Sequence, residues 1–92
     1  MVESYGVAAF RSRQQVLRFE QQLRQEGISN IRIVSTPREI AVGCGLSIQF
    51  SLADAPAILQ AIRRTRPANL VGVYQVERTG TGKPRLSVLS QG

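Results

Sequence analysis

The chain has 92 residues, the length of one small domain, and its 42% hydrophobic and 20% charged residues are typical of a folded globular protein. One cysteine and no histidine exclude an internal disulfide, a Cys–His hydrolase and the usual zinc, haem and iron–sulfur ligand sets, so we predict neither a metal nor a cofactor. The net charge of +6, with eleven arginines among twelve basic residues, favours anionic partners.

No apolar run approaches the roughly 20 residues that a membrane-spanning helix needs. The N-terminal residues resemble a strand and show no basic region followed by an apolar core. We therefore expect a cytoplasmic protein that does not engage a membrane.

The first half of the chain predicts a strand, a helix and a second strand. Residues 4–10 are apolar and form the first, buried strand. Ser12 and Gln15 have the spacing of a capping box, and Gly27 is placed to end the helix as its C′ residue. The apolar face of this helix contains Val16, Leu17, Phe19 and Leu23. A short strand follows at residues 31–34.

The second half predicts a strand, a helix and a further strand. Apolar and polar residues alternate strictly over residues 46–50. This pattern predicts that Ser47 and Gln49 face outward and that Leu46, Ile48 and Phe50 are buried. Ser51 or Asp54 caps the second helix. Its apolar stripe contains Ala55, Ile58, Leu59 and Ile62. Residues 70–76 form a strand, residues 79–82 a turn, and residues 85–90 either a short edge strand or a loose tail.

This order, β-α-β-β-α-β, predicts an α+β domain of the two-layer, ferredoxin-like (split βαβ) type. Both helices would cover one face of a mainly antiparallel sheet. We expect residues 1–76 to form the domain and residues 77–92 to be a C-terminal extension, either an extra edge strand or a flexible tail.

The connection between the second and third strands is unusually long. Hairpin loops usually contain about two to five residues, whereas residues 36–45 provide ten. The only cysteine, Cys44, lies there between Gly43 and Gly45. Glycine on both sides permits positive φ and lets another molecule approach the sulfur closely. The alternative is that Cys44 fills space in a tight turn into the third strand.

A reactive cysteine needs a positive field, because the thiolate is its nucleophilic form. Arg38 and the backbone N–H groups around Gly43 and Gly45 are the candidates for stabilising a thiolate or another anion. Thiol exchange at a reactive cysteine requires a partner protein but no base or metal in this chain.

Three further residues are candidates for shaping this loop. Thr36 and Pro37 fix its first residues, and Pro37 stiffens them. Glu39 either holds the neighbouring Arg38 in place or is a surface acid.

The loop and third strand resemble a known family. Thr-Pro-Arg-Glu-Ile at residues 36–40, followed by Cys-Gly-Leu-Ser-Ile at residues 44–48 and an aromatic at Phe50, resembles the signature of the selenium/sulfur (Se/S) carrier protein-like family. The resemblance covers residues 5–74. It implies that Cys44 holds sulfur or selenium as a persulfide or selenosulfide, between a donor protein and an acceptor protein. The chain departs from the family in the apolar residues 41–43 and in the extension after residue 76.

Two other function classes fit the same pattern. A basic ferredoxin-like sheet is also the architecture of an RNA-binding module, and Arg63, Arg64 and Arg66 are candidates for weak phosphate binding. However, the strand pattern buries Phe50, and cations at a helix C-terminus also stabilise the helix dipole. The third class is a non-catalytic interaction or regulatory domain, a homodimer formed through a sheet edge, in which Cys44 is incidental. In each case we expect a protein without its own turnover.

Overall fold

The computed structural model describes residues 2–40, 45–80 and 82–91, with the backbone alone described at Val2 and Gln91. In chain order the elements are β1 (Val2–Phe10), α1 (Arg13–Gln25), β2 (Ile31–Ser35), β3 (Leu46–Phe50), a short 3-10 helix (Leu52–Asp54), α2 (Ala55–Thr65), β4 (Leu70–Thr79) and β5 (Arg85–Gln91). No helix of the described residues has the length and apolar character needed to span a bilayer.

All five strands join one antiparallel sheet in the order β2-β3-β1-β4-β5. β1 is central and pairs with both β3 and β4, while β2 and β5 form the two edges. The predicted α+β class with a mainly antiparallel sheet is therefore confirmed. The strand order differs from that of an ideal four-stranded ferredoxin-like sheet, and β5 lies beside β4. β4 continues to Thr79 and so crosses the predicted boundary after residue 76.

α1 begins and ends where the sequence predicts. The Ser12 hydroxyl accepts a hydrogen bond from the Gln15 N–H at 3.4 Å, and Gly27 has a φ of 89° just beyond the last turn. The expectation that Leu17 joins the buried face is wrong, because this side chain is 55% exposed. Each helical residue turns the side chain by about 100°, which takes Leu17 out of the stripe formed by Val16, Phe19 and Leu23.

The start of α2 uses only one of its two predicted caps. The Ser51 hydroxyl accepts a hydrogen bond from the Ala53 N–H at 3.3 Å and caps the 3-10 helix. Asp54 occupies the N-cap of α2 without a side-chain hydrogen bond to the helix. The helix buries Ile58, Ala61 and Ile62, of which Ala61 was not predicted.

Both helices pack on one face of the sheet. The main core contains Phe10, Val16, Phe19, Leu23, Ile48, Phe50, Ile58 and Ile62. Phe50 is 1% exposed, as the alternation of β3 predicts. Its ring lies across β1 at Gly6, where an added Cβ would stand 2.1 Å from the ring. Glycine is therefore required at that cross-strand position.

The opposite face of the sheet has a smaller apolar cluster with no helix in it. Val7, Ala9 and Val76 are buried there, with Tyr5, Val71, Tyr74 and Leu86 packed around them. The fourth buried member is Ile40, which belongs to the β2–β3 loop. A loop residue therefore helps to cover the face that the helices leave open.

Candidate functional site

The predicted carrier residue, Cys44, and its neighbour Gly43 lie outside the described residues. The structure describes the loop on both sides of them, residues 36–40 after β2 and Gly45 before β3. These two segments fix the base of the loop and the direction in which it leaves the sheet.

The base of the loop is closed by two hydrogen bonds. The Thr36 N–H donates to the Gly45 carbonyl at 2.9 Å, which extends the β2–β3 pairing by one step. The Thr36 and Ser47 hydroxyls share a second bond of 2.7 Å. Gly45 has a φ of 89°, a conformation that L side chains rarely adopt, so glycine is required at this position. An added Cβ at Gly45 would meet no heavy atom of the described residues within 4 Å.

The burial of Ser47 corrects an expectation. Strict alternation in β3 predicts that Ser47 faces outward, and it does point to the face without helices, yet it is 0% exposed. The reason is that the loop covers this end of the open face, so Ser47 lies beneath Thr36 and shares a hydrogen bond with it. Alternation predicts the face of a residue but not what covers that face.

A tight turn follows the loop base. The Ile40 N–H donates to the Pro37 carbonyl at 2.9 Å, which places Arg38 and Glu39 at the two central positions of the turn. Both central side chains are exposed, and Pro37 is half-buried. The Thr36–Pro37 peptide bond is trans, like every other described peptide bond.

Ile40 anchors the loop to the sheet. Its side chain is only 8% exposed and packs in the cluster with Val7, Ala9 and Val76. This role was not predicted from the sequence. The available signal was one large aliphatic residue after the polar Arg38 and Glu39, a signal without the periodicity that identifies strands and helices.

The two charged residues of the turn, Arg38 and Glu39, differ in their interactions with other residues. Arg38 makes no hydrogen bond or ion pair with another described residue, so its charge is not neutralised by them. Arg78 on β4 donates to the Tyr5 hydroxyl at 3.0 Å, and this bond is the main reason why the pKa of Arg78 is raised. The nearby charge of Glu39 raises that pKa further. Glu39 is therefore close enough to Arg78 to interact with it electrostatically.

The three arginines at the end of α2 do not form one cluster. Arg64 forms an ion pair with Glu26, at the end of α1. Arg63 and Arg66 instead line a groove of about 550 Å³ between α2 and β4. We call this the α2–β4 groove and define it by Ile62, Arg63, Arg66, Pro67, Asn69, Leu70 and, from β5, Ser90.

This groove and the loop lie at the same end of the sheet. Ala9 pairs with Ser47 beside the loop base, and the next residue of β1, Phe10, pairs with Leu70 in the groove. The carboxyl end of β1 therefore lies between the two features.

Two further observations bear on RNA binding and on metal binding. Phe50, the aromatic of β3, is buried under the helices and is not exposed for stacking on a base. Within the described part of the chain, no three Cys, Asp or Glu side chains come together as a metal-ligand set.

Comparison with protein families places the chain. The model of the family described as "Putative Se/S carrier protein-like" matches residues 5–72, well over half of the sequence. The chain belongs to this family. The Se/S carrier-like match runs from β1 to the first residues of β4, and so includes both helices and the whole loop with Cys44. β5 lies beyond the matched residues. No curated protein and no solved structure matches the chain.

Proposed function

We propose that this protein carries sulfur or selenium on Cys44 and passes it from a donor protein to an acceptor protein. The observation that carries the proposal is the family match over residues 5–72 of a chain with a single cysteine. Because thiol exchange needs a thiolate, Cys44 is the only residue of this chain that can accept the atom.

The proposed transfer is an exchange between a persulfide and a thiolate. The Cys44 thiolate attacks the outer sulfur of the donor's persulfide, so that a new S–S bond forms at Cys44 and the donor's S–S bond breaks. The donor leaves as a thiolate and Cys44 becomes a persulfide, with no external oxidant or reductant. Selenium transfer would follow the same exchange with selenium as the outer atom.

Three features support the assignment of roles around the sulfur. Arg38 is exposed with no ion-pair partner among the described residues, so its guanidinium is available to the charged sulfur of Cys44. The backbone N–H groups of Gly43 and Gly45 would add partial positive charge. No described residue lies within 4 Å of an added Cβ at Gly45, which supports an approach by a partner's active site from that side.

The loop-shaping roles rest on the closed loop base. Thr36 would hold the loop base through its bonds to Gly45 and Ser47, and Pro37 would fix the turn that presents Arg38. Glu39 would keep the turn oriented through its attraction to Arg78. The proposed location is the cytoplasm, where thiols remain reduced.

We also propose that the fold is a variant of the ferredoxin-like class. The chain order of β1 to β4 with two helices supports this assignment, and β5 would be an addition to the β4 edge. In this view residues 1–76 contain the family domain and residues 77–92 are an extension of it.

Sulfur loading of Cys44 is the direct test. The protein is incubated with a cysteine desulfurase and cysteine, and its intact mass is measured over time. We expect the wild type to gain one sulfur atom and Cys44→Ala to gain none. Arg38→Gln should load several-fold more slowly because the thiolate loses a nearby cation, whereas Arg32→Gln, an exposed arginine of β2, should load at the wild-type rate. An unchanged wild-type mass, or an equal gain in Cys44→Ala, would exclude the carrier function.

A further inference from the structure

We infer that the α2–β4 groove is the docking site for an acidic segment of the partner protein, in which carboxylates flank an apolar side chain. This inference rests on the proposed carrier function, because it names the surface by which a donor or acceptor would be held near Cys44. It depends on the groove's charge, floor, rigidity and place in the fold.

The groove carries the positive charges of Arg63 and Arg66, which are not paired with an acidic side chain of the described residues. Arg63 and Arg66 are exposed, and neither forms an ion pair with another described residue. Among the described residues, no acidic side chain lines the groove. Arg64 lies between them in sequence but is held by Glu26. Two free guanidinium groups on one groove match carboxylates well, because each can donate two parallel hydrogen bonds to a carboxylate.

The floor of the groove is aliphatic. Ile62, Pro67 and Leu70 line it, and no aromatic ring of the described residues does. Binding of single-stranded nucleic acid relies on bases stacked on aromatic side chains, which this groove does not offer. An aliphatic floor beneath two cations instead suits a peptide segment in which a leucine or similar side chain is flanked by carboxylates.

The backbone on both sides of the groove is fixed in place. Arg66 ends α2 with a φ of 46°, and its N–H donates to the Ile62 carbonyl at 2.8 Å. Asn69 has a φ of 65°, and its carbonyl accepts from the Arg11 N–H at 2.7 Å. Because these bonds hold the groove in shape before a ligand arrives, binding requires little ordering of the backbone.

The position of the groove connects docking with transfer. It lies at the end of the sheet where the β2–β3 loop begins, with the last residues of β1 between them. The groove lies on the helix-covered face and Ile40 packs on the opposite face, so a partner held in the groove would reach the loop that contains Cys44 by extending around the end of β1.

A labelled peptide tests the inference. The probe is a fluorescein-labelled Asp-Glu-Leu-Asp-Leu-Glu peptide, and its binding is measured by anisotropy at low and at moderate salt. The test variant is Arg63→Gln/Arg66→Gly, in which glycine retains the left-handed backbone at residue 66. The control is Arg32→Gln/Arg85→Gln, which removes the same net charge from exposed residues elsewhere. We expect the peptide to bind about tenfold more weakly to the test variant than to the wild type, and the control to bind it nearly as tightly.

Several results would overturn the inference. They are the absence of binding to the wild type, an equal loss in both double variants, equal affinity for a peptide with serine in place of leucine, and tighter binding of a single-stranded oligonucleotide in the same groove. Failure of the carrier function is recognised separately. Loading of Cys44 from a small-molecule persulfide needs no docking, so Arg63→Gln/Arg66→Gly should load normally in that assay. Cys44→Ala should still bind the peptide.

Discussion

Arg64 and Arg66 are two residues apart at the end of α2, yet their surroundings have little in common. Arg64 reaches across to Glu26 at the end of α1, while Arg66 adopts a left-handed backbone and lines the α2–β4 groove. In the sequence they belong to one basic cluster. The distinction arises from a contact between two helix ends, which spacing along a single helix cannot predict.

The ion pair between Arg64 and Glu26 stabilises the folded state at neutral pH, and this stabilisation is lost in acid. Its hydrogen bond lowers the pKa of Glu26 below the ordinary value of 4.5, with a smaller contribution from Gln22. A pKa lowered by folding means that the stabilisation is present above the unfolded pKa and is lost as the pH falls through the folded pKa. We expect Arg64→Gln to be less stable than the wild type at neutral pH, and the difference to vanish as the pH falls below 4.5.

Urea unfolding of both proteins over a series of pH values measures this difference, and NMR titration of the Glu26 carboxyl measures its pKa directly. Arg63→Gln is the control, since Arg63 forms no ion pair with a described residue. A gap between wild type and Arg64→Gln that stays constant into the acid range would contradict the prediction.

At the scale of elements, local sequence signals predicted the helices and strands well, whereas contacts between distant residues were not predicted. The Ser12 cap of α1, the C′ glycine Gly27 and the burial of Ile48 and Phe50 on β3 are local signals, and the structure confirms each of them. The unusual length of the β2–β3 loop was also visible in the sequence. Its path was not, because Ile40 is anchored by residues of β1 and β4 that are distant along the chain. Ser47 was misjudged for the same reason.

The anchoring role of Ile40 is open to a stability test. Ile40→Ala removes most of a buried side chain from the small cluster over the open face, and we expect a loss of about 2 kcal/mol in the free energy of unfolding. Urea denaturation measures it. Leu17→Ala truncates an aliphatic side chain that is 55% exposed, and it should change the free energy by less than about 0.5 kcal/mol. Equal effects of the two substitutions would show that Ile40 does not anchor the loop.

At the scale of the whole molecule, the two faces of the sheet are protected by different means. One is covered by two helices and the other in part by a loop that belongs to the family signature. β5 extends the sheet beyond the residues that the family model matches. Its contribution to the packed clusters comes from Leu86 and Leu89, both partly buried. The sequence left open whether this segment is a strand or a tail, because a short edge segment has few apolar residues to define it.

Removal of residues 80–92 tests the proposed division of the chain. We expect the shortened protein to keep a folded circular-dichroism spectrum and a cooperative unfolding transition. Its stability should fall by about 2 kcal/mol, because two partly buried leucines are lost and the β4 edge is uncovered. Thermal and urea unfolding measure the loss. A shortened chain that is unfolded would show that β5 is integral to the domain.

In the proposed carrier, the hydrogen bond between Thr36 and Gly45 at the loop base would limit how far a sulfur atom on Cys44 could move. Consecutive Cα atoms are about 3.8 Å apart, so the Cα of Cys44 stays one peptide unit from a glycine that is fastened to the sheet. A carrier of this kind would therefore not act as a long swinging arm that shuttles cargo between distant active sites. The enzyme that receives the sulfur would then have to bind around the loop base. An active-site cleft too narrow or too deep to admit the loop base would not be reached.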